Sequence, residues 1–153
     1  MIPLSSKFFV AEKELFIVPK KTINVAMIKN FLIINFTGKN DSIGLRVNNN
    51  FFVKKINNNI RNKTLLVNKI FEFIKEKNVN IDKDFSVIVN IGPGSFSGVR
   101  ISIAIAKGIK IAKGIKIYGY KGAHLAEFNL QNIELLFKKN LLENNLIKPV
   151  YLR

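Results

Sequence analysis

The sequence predicts an α/β domain in which three antiparallel strands are followed by helix, strand, helix, strand and helix. Three observations support this order. Short β-branched runs alternate with turns over residues 31–56, and amphipathic helical patterns cover 63–77 and 132–144. Between the two helical patterns, a strand, a glycine turn, a helix and a second strand follow one another over 85–120. A chain of 153 residues is long enough to bury the core of one such domain.

The first three strands are predicted at residues 31–36, 42–47 and 51–56. Two short polar segments separate them, one around residues 38–41 and one formed by three asparagines at 48–50. Connections of this length join neighbouring antiparallel strands. The three strands therefore form an antiparallel meander, which a polar loop at 57–62 connects to the first helix.

Residues 63–77 have the pattern of an amphipathic helix. Ile70 and Phe73 recur on one side of it, and lysines lie on the other. Val67 and Phe71 widen the apolar surface beyond a single stripe. The helix therefore either covers a sheet only, or also carries a second apolar face for a partner helix.

Residues 85–120 have the pattern of a right-handed βαβ crossover. In order, they contain a strand at 85–91, a turn rich in Gly and Pro at 92–98, a helix at 99–113 that Gly114 ends, and a strand at 115–120. A short helix within 122–128 and a longer one at 132–144 complete the chain. This order matches one half of the actin-like, ribonuclease H-like fold.

The glycine turn has two interpretations. Gly92 and Gly94 allow a sharp turn, and Ser95 or Ser97 can cap the helix that follows. Such a helix start can hold a phosphate. The Gly-Lys-Ser/Thr ending of a P-loop is missing, however, and Gly98 lies one residue too far for Gly-x-Gly-x-x-Gly. The turn is therefore either a phosphate site or a tight turn with a helix cap.

Arg100 follows this turn at the start of the helix, where the helix dipole disfavours a cation by roughly 0.3–1 kcal/mol. A carboxylate or a phosphate nearby would reverse that effect. Without one, Arg100 is a solvated side chain.

Small residues recur at a spacing of four along the helix at 99–113, and such stripes allow a second helix to approach closely. Two stripes on different faces indicate contacts on more than one side, which favours a helix–helix interface. The stripes are Gly98, Ser102 and Ala106, and Ala104, Gly108 and Ala112.

Composition limits the chemistry of the chain. It has no cysteine, which excludes a disulfide framework or a thiolate metal site and fits a cytoplasmic location. The single histidine, His124, excludes a histidine-based metal cluster. No apolar run approaches the ~18–20 residues of a membrane span, so no membrane partner is expected. The net charge of +15 indicates an anionic partner such as tRNA, although an AT-rich genome would impose the same abundance of lysine.

Catalytic residues are not indicated. None of the ten carboxylates is paired with another at a strand end that faces the glycine turn, so metal-assisted phosphoryl transfer lacks its ligands. Ser95 and Ser97 have no base nearby in the sequence. We therefore expect a non-enzymatic protein without a catalytic residue, a metal site or a cofactor.

Residues 91–101, Ile-Gly-Pro-Gly-Ser-Phe-Ser-Gly-Val-Arg-Ile, resemble the Gly-Pro-Gly-Ser-Phe-Thr-Gly-hydrophobic-Arg signature of the TsaB (YeaZ) family. The last five residues, Pro-Val-Tyr-Leu-Arg at 149–153, are similar to the Pro-x-Tyr-Leu-Arg ending of that family. Residues 31–47 lie where the family opens with two strands. The resemblance covers 27–121 and the last five residues.

This resemblance implies one half of an actin-like, Hsp70-like ATPase fold and a non-catalytic partner of TsaD in making threonylcarbamoyladenosine on tRNA. TsaD performs the chemistry, a TsaE-like ATPase joins the complex, and tRNA is bound mainly through the complex. A homodimer through the same helices is the alternative pairing. The alternative functions are a nucleotide-binding enzyme of the actin-like ATPase class and a basic RNA-binding module.

The motif and the two facing helices supply the residues that we expect at the partner interface. They are Gly92, Pro93, Gly94, Ser95, Phe96, Gly98, Arg100, Ser102, Ala106, Ile70 and Phe73.

The chain departs from the family pattern in three places. Asn35-Phe36-Thr37 stands where the family has Asp-Thr-Ser, so the carboxylate that related ATPases use around metal and phosphate is missing. Asn62 and Lys63 stand where a histidine often precedes the first helix. Most of the second domain is absent, which indicates a shortened form. We expect Met27 to be the true start, residues 1–26 to be either an extension or a mis-called start, and 27–153 to be one domain with a short helical tail.

Overall fold

The computed structural model describes residues 28–57, 63–144 and 147–150. The predicted extension at 1–26, the predicted start at 27 and most of the predicted loop at 57–62 lie outside these ranges. The last three residues of the Pro-Val-Tyr-Leu-Arg ending also lie outside them.

The secondary structure follows the predicted order, and no strand boundary differs from its prediction by more than one residue. The elements are β1 Asn30–Asn35, β2 Ser42–Val47, β3 Asn50–Lys55, α1 Lys63–Glu76, β4 Phe85–Asn90, α2 Phe96–Lys113, β5 Lys116–Tyr120, a 3₁₀ helix Gly122–His124 and α3 Leu130–Lys138.

The five strands of the described residues form one sheet in the order β3-β2-β1-β4-β5. β1, β2 and β3 are antiparallel neighbours, as the short turns predict. β4 and β5 run parallel to β1, with Val87 opposite both Leu32 and Ile117. Parallel neighbours need long crossovers, which α1 and α2 supply. The carboxyl ends of β1, β4 and β5 therefore meet at one edge of the sheet.

Helices cover both faces of the sheet, so the central strands are buried on each side. Successive strand residues point to opposite faces. Leu32 and Val87 pack with α1 and α2 in one core, whereas Phe31 and Ile88 pack with α3 in the other. Phe31 meets Phe137 of α3 edge to face, with ring centroids 5.5 Å apart. The result is a three-layer α/β sandwich.

Helix α2 begins three residues earlier than predicted, because its cap lies inside the glycine turn. Ser95 Oγ accepts a hydrogen bond from the Gly98 N–H, so Phe96, Ser97 and Gly98 form the first helical turn. Gly114 ends the helix as predicted, in the left-handed region at φ 68°.

The prediction of a helix over 132–144 was wrong at both ends. Asn129 caps α3 by accepting a hydrogen bond from the Asn132 N–H, so the helix starts two residues earlier. It ends at Lys138, since Asn140 adopts a positive φ of 55° and turns the chain. Glu143 then forms an antiparallel bridge with Gly119, which satisfies part of the open edge of β5.

The short helix predicted within 122–128 is a 3₁₀ helix over Gly122–His124 only. In the described part of the chain, no helix is both long enough and apolar enough to cross a membrane.

Candidate functional site: the strand-end cleft and the two-helix groove

Two asparagines lie where neighbouring parallel strands end. Asn35 is the last residue of β1, Asn90 is the last residue of β4, and Asn90 Nδ2 donates a hydrogen bond of 2.7 Å to Asn35 Oδ1. Asn90 Oδ1 also accepts from the Gly92 N–H at 2.8 Å, so the Asn90 amide joins β1 to the glycine turn. The amide nitrogen and the amide oxygen of the buried Asn90 side chain therefore both form hydrogen bonds within the chain.

A polar cleft of about 510 Å³ opens above these strand ends. Ligands in open α/β sheets bind at this position, beyond the carboxyl ends of the strands. Glu127 is the only acid among the residues that the structure describes along the cleft. Its charged and amide-bearing lining consists of Asn35, Lys39, Asn40, Lys55, Asn90 and Glu127.

The donors in this cleft do not fit a divalent ion that carries a nucleotide phosphate. Magnesium is held by one or two carboxylates together with phosphates, whereas the strand ends here present two neutral amides that bond to each other. Within residues 28–57, 63–144 and 147–150, no group of three or more His, Cys, Asp or Glu side chains could hold a metal ion.

Position 92 must be a glycine because the segment around Val150 passes close to it. Its φ is +102°, and a Cβ added here would lie 2.5 Å from the carbonyl oxygen of Val150. The Val150 N–H in turn donates to the carbonyl of Ile91 at 2.7 Å. The glycine motif and the start of the terminal motif therefore contact each other, although more than fifty residues separate them in the sequence.

The turn is also fastened to the segment that follows β1. A Cβ on Gly94 would lie 2.5 Å from Thr37 Cβ, and one on Gly98 would lie 2.5 Å from the Phe36 carbonyl oxygen. The Ser95 N–H donates to the Thr37 carbonyl at 2.7 Å. Acceptors of the chain itself thus bond to the N–H groups of Ser95 and Gly98. This favours the interpretation as a tight turn with a helix cap rather than the interpretation as a phosphate site.

Arg100 lies over the ring of Phe96, with its guanidinium carbon 4.9 Å from the ring centroid. The two residues are one helical turn apart, and Phe96 is 60% exposed. A cation–π contact at an exposed site is worth roughly 0.5–1 kcal/mol, enough to offset the unfavourable helix dipole. The spacing of four residues between Phe96 and Arg100 in the sequence could have predicted this contact.

Four residues expected at the partner interface lie instead in the core of the chain. Ser102, Ala106 and Ile70 are fully buried and Phe73 nearly so, which leaves them inaccessible to a partner. Ser102 Oγ donates to the Gly98 carbonyl at 2.9 Å. The Gly98–Ser102–Ala106 stripe faces the sheet because α2 must bury one side on β4 and β5. We therefore expect a partner on α1 and α2 to contact other residues of these helices.

The other small stripe faces outward. Ala104, Gly108 and Ala112 are exposed, and a Cβ added to Gly108 would meet no atom within 4 Å. Large apolar side chains of both helices are exposed as well: Ile111 of α2 is 85% exposed and Phe71 of α1 is 46% exposed. Sequence reasoning missed Ile111, although an isoleucine between Lys110 and Lys113 was visible as an apolar residue away from the buried stripe.

An apolar groove of about 250 Å³ separates α1 from α2 on this surface, and we call it the two-helix groove. Its lining residues are Val67, Phe71, Ile81, Ile105, Gly108, Ile109, Ala112 and Lys113.

The motif residues at the start of α2 are split between the interior and the surface. Gly92 is buried beside the carbonyl of Val150. Pro93 and Phe96 are exposed, and Gly94 and Ser95 are half-buried.

Comparisons with known proteins agree with the sequence resemblance. No protein-family model matches the chain. Over 46 residues it is 41% identical to the tRNA threonylcarbamoyladenosine biosynthesis protein TsaB of Buchnera aphidicola subsp. Baizongia pistaciae (strain Bp), which covers 30% of this chain and 21% of that protein. The chain thus matches about a fifth of the length of this curated relative.

Two solved structures share the fold. YeaZ from Pseudomonas aeruginosa superposes with a TM-score of 0.56 at 18% identity, over 64% of this chain and 46% of that one. A protein from Pseudomonas aeruginosa with similarity to peptidase YEAZ gives a TM-score of 0.55 at 19% identity, over 64% and 45% of the two chains. The chain is TsaB/YeaZ-like, with the α/β architecture of the actin-like fold.

Proposed function

We propose that this TsaB/YeaZ-like chain acts in threonylcarbamoyladenosine modification of tRNA as a non-catalytic subunit that binds a TsaD-like protein. The exposed two-helix groove is the observation that carries the proposal. The similarity to the Buchnera TsaB protein suggests the tRNA modification, and the groove offers a surface through which a subunit can bind a partner.

The groove has the composition of a binding surface. Phe71, which lines the groove, exposes a large apolar side chain to water, and covering apolar area is worth about 25 cal/mol per Å². Gly108 also lines the groove and has no side chain, so the backbone of a partner helix can approach α2 closely. These features support docking of a helix along α1 and α2.

The lining of the strand-end cleft supports the proposal that this subunit does not catalyse the reaction. In it, Asn35 and Asn90 bond to each other where a metal-dependent phosphoryl-transfer site would need carboxylates. The reaction then belongs to the TsaD-like partner, with a TsaE-like ATPase joining the complex and tRNA bound mainly by the assembled subunits in the cytoplasm.

Co-purification with the TsaD-like protein of the same genome tests the proposal. We expect the wild-type chain to be retained and Ala112→Arg to be lost, because Ala112 lines the groove and is exposed. Ala123→Arg is the matched control, since it adds the same side chain at an exposed position of the 3₁₀ helix.

Circular dichroism must show that both variants are folded. If the folded wild-type chain is not retained, the proposed function is refuted. If the two variants are retained equally, the proposed interface is refuted.

A further inference from the structure

We propose that the outer edge of β5 is a pairing site for an extended segment of a partner protein, and that residues 141–150 are a strap that occupies this site until it is displaced. The structure describes the strap at 141–144 and 147–150. Gly119 and Glu143, which pair at this edge, do not line the two-helix groove. The inference therefore concerns a second surface and goes beyond the proposed function.

The strap pairs with β5 as an antiparallel strand does, but at one point. The Gly119 N–H donates to the Glu143 carbonyl at 2.7 Å, and the Glu143 N–H donates to the Gly119 carbonyl at 2.8 Å. Among the described residues this is the one bridge at the outer edge of β5, which runs over Lys116–Tyr120. An edge strand presents a row of backbone N–H and C=O groups to a further strand. A longer extended segment can therefore pair with more of this edge than the strap does.

Two apolar side chains fasten the strap on opposite faces of the sheet. Leu142 is 7% exposed and packs in the core that contains α3 residues, and Ile147 is 3% exposed and packs in the core that contains α1 and α2 residues. A Cβ added to Gly119 would lie 3.3 Å from Ile147 Cγ2, so the glycine makes room for this side chain. The segment that fits the edge has one apolar residue before the paired residue and another four positions after it.

The strap is held by fewer backbone bonds than the central strands. β1 pairs along its length with β2 on one side and β4 on the other. The strap is held to the rest of the fold by the bridge at Glu143 and by the Val150 N–H, which donates to the Ile91 carbonyl at 2.7 Å. Segments with few backbone bonds and partly exposed residues open at a lower free energy than core strands. The strap is therefore the part of this sheet edge that opens first.

The glycine turn has bonds of its own that do not involve the strap. The Gly92 N–H donates to Asn90 Oδ1 at 2.8 Å, and the Ser95 N–H donates to the Thr37 carbonyl at 2.7 Å. These bonds hold the start of α2 when the strap leaves. Opening of the strap is therefore a local event that exposes the edge of β5 while the sheet stays folded.

Amide hydrogen exchange of the wild-type chain, followed by NMR, tests the opening. The Gly119 N–H reports on the strap because Glu143 accepts its hydrogen bond. The Leu32 N–H of β1 reports on the centre of the sheet. We expect the protection factor of the Gly119 N–H to be at least about tenfold lower than that of the Leu32 N–H.

A fluorescent peptide with the sequence of residues 141–150 tests the pairing. It is titrated into two full-chain variants, Glu143→Pro, which removes one donor of the bridge, and Glu143→Ala, which keeps that N–H and changes only an exposed side chain. In Glu143→Ala the intact strap competes at an effective concentration on the order of mM. We expect the Kd for Glu143→Pro to be at least about tenfold lower than that for Glu143→Ala.

The control peptide carries Glu143→Pro and should bind neither variant. If circular dichroism shows that the Glu143→Pro chain is unfolded, Ile147→Ala weakens the strap at its buried side chain instead, with Lys148→Ala as the exposed control. Three results would overturn the proposal: equal protection of the Gly119 and Leu32 amides, no binding of the peptide to a folded strap variant, or equal binding of the two peptides.

Discussion

The side-chain amide of Asn90 donates a 2.7 Å hydrogen bond to the side-chain oxygen of Asn35, joining the ends of two parallel strands. The Asn90 oxygen accepts from the Gly92 N–H on its other side. One buried side chain therefore links β1, β4 and the glycine turn that starts α2. At the ends of these strands the two neutral amides form a structural joint.

Replacing Asn90 by alanine should destabilise the fold. The change leaves the Gly92 N–H without its acceptor in a buried position, which costs roughly 1–3 kcal/mol. Urea unfolding followed by circular dichroism measures the loss. Asn68→Ala, at an exposed position of α1, is the control and should stay within about 0.5 kcal/mol of the wild type. Equal midpoints for the two variants would contradict the role given to Asn90.

Two Gly→Ala substitutions should have opposite effects. At Gly92 the positive φ and the Val150 carbonyl 2.5 Å from the new Cβ both resist a side chain, so we expect a loss of roughly 2 kcal/mol or more. At Gly108 the new methyl meets nothing within 4 Å, and alanine should stabilise the helix by up to about 1 kcal/mol. Thermal unfolding of both variants tests the pair, and a destabilised Gly108→Ala would show that this position is not open.

Arginine at two positions of α2 separates its buried and exposed faces. Ala106 is fully buried, so Ala106→Arg places an unpaired charge in the core and should cost at least about 3 kcal/mol or prevent folding. Ala104 is exposed, and Ala104→Arg should unfold at nearly the wild-type urea concentration. Similar stability of the two variants would mean that α2 is rotated differently on the sheet.

Tyr120 should make stability depend on alkaline pH. Burial raises the pKa of its phenol above the ordinary value of 10.0, while the Asn90 side chain acts in the opposite direction. The raised pKa belongs to the folded state, so the stability due to the neutral phenol is present below pH 10.0 and is lost as the pH rises above it.

We therefore expect the free energy of unfolding to fall more steeply above that pH for the wild type than for Tyr120→Phe. Urea titrations of both proteins between neutral and strongly alkaline pH check this. Parallel curves would show that the phenol does not contribute, since the two proteins differ only at this side chain.

The order of strands and helices could be predicted from the sequence because it depends on local chemistry. Alternating β-branched runs, asparagine turns and the stop at Gly114 each act within a few residues, and β2 was predicted without error. The neutral amide of Asn35 at the end of β1 was equally visible, since it requires only the identity of one residue. A cap at Ser95 or Ser97 was visible too, but not which of the two serines would form it or which amide it would bind.

Long-range packing decided the rest. Two small stripes on α2 are equivalent in the sequence, and only the position of the helix on β4 and β5 buries Ala106 and exposes Gly108. After α3, the chain turns at Asn140 and pairs Glu143 with the edge of β5. Gly92 is needed because Val150 returns to it. The periodicity of a sequence describes how residues that are near each other in the chain are arranged. Burial depends on which distant segments of the chain pack together, and only the folded structure shows that.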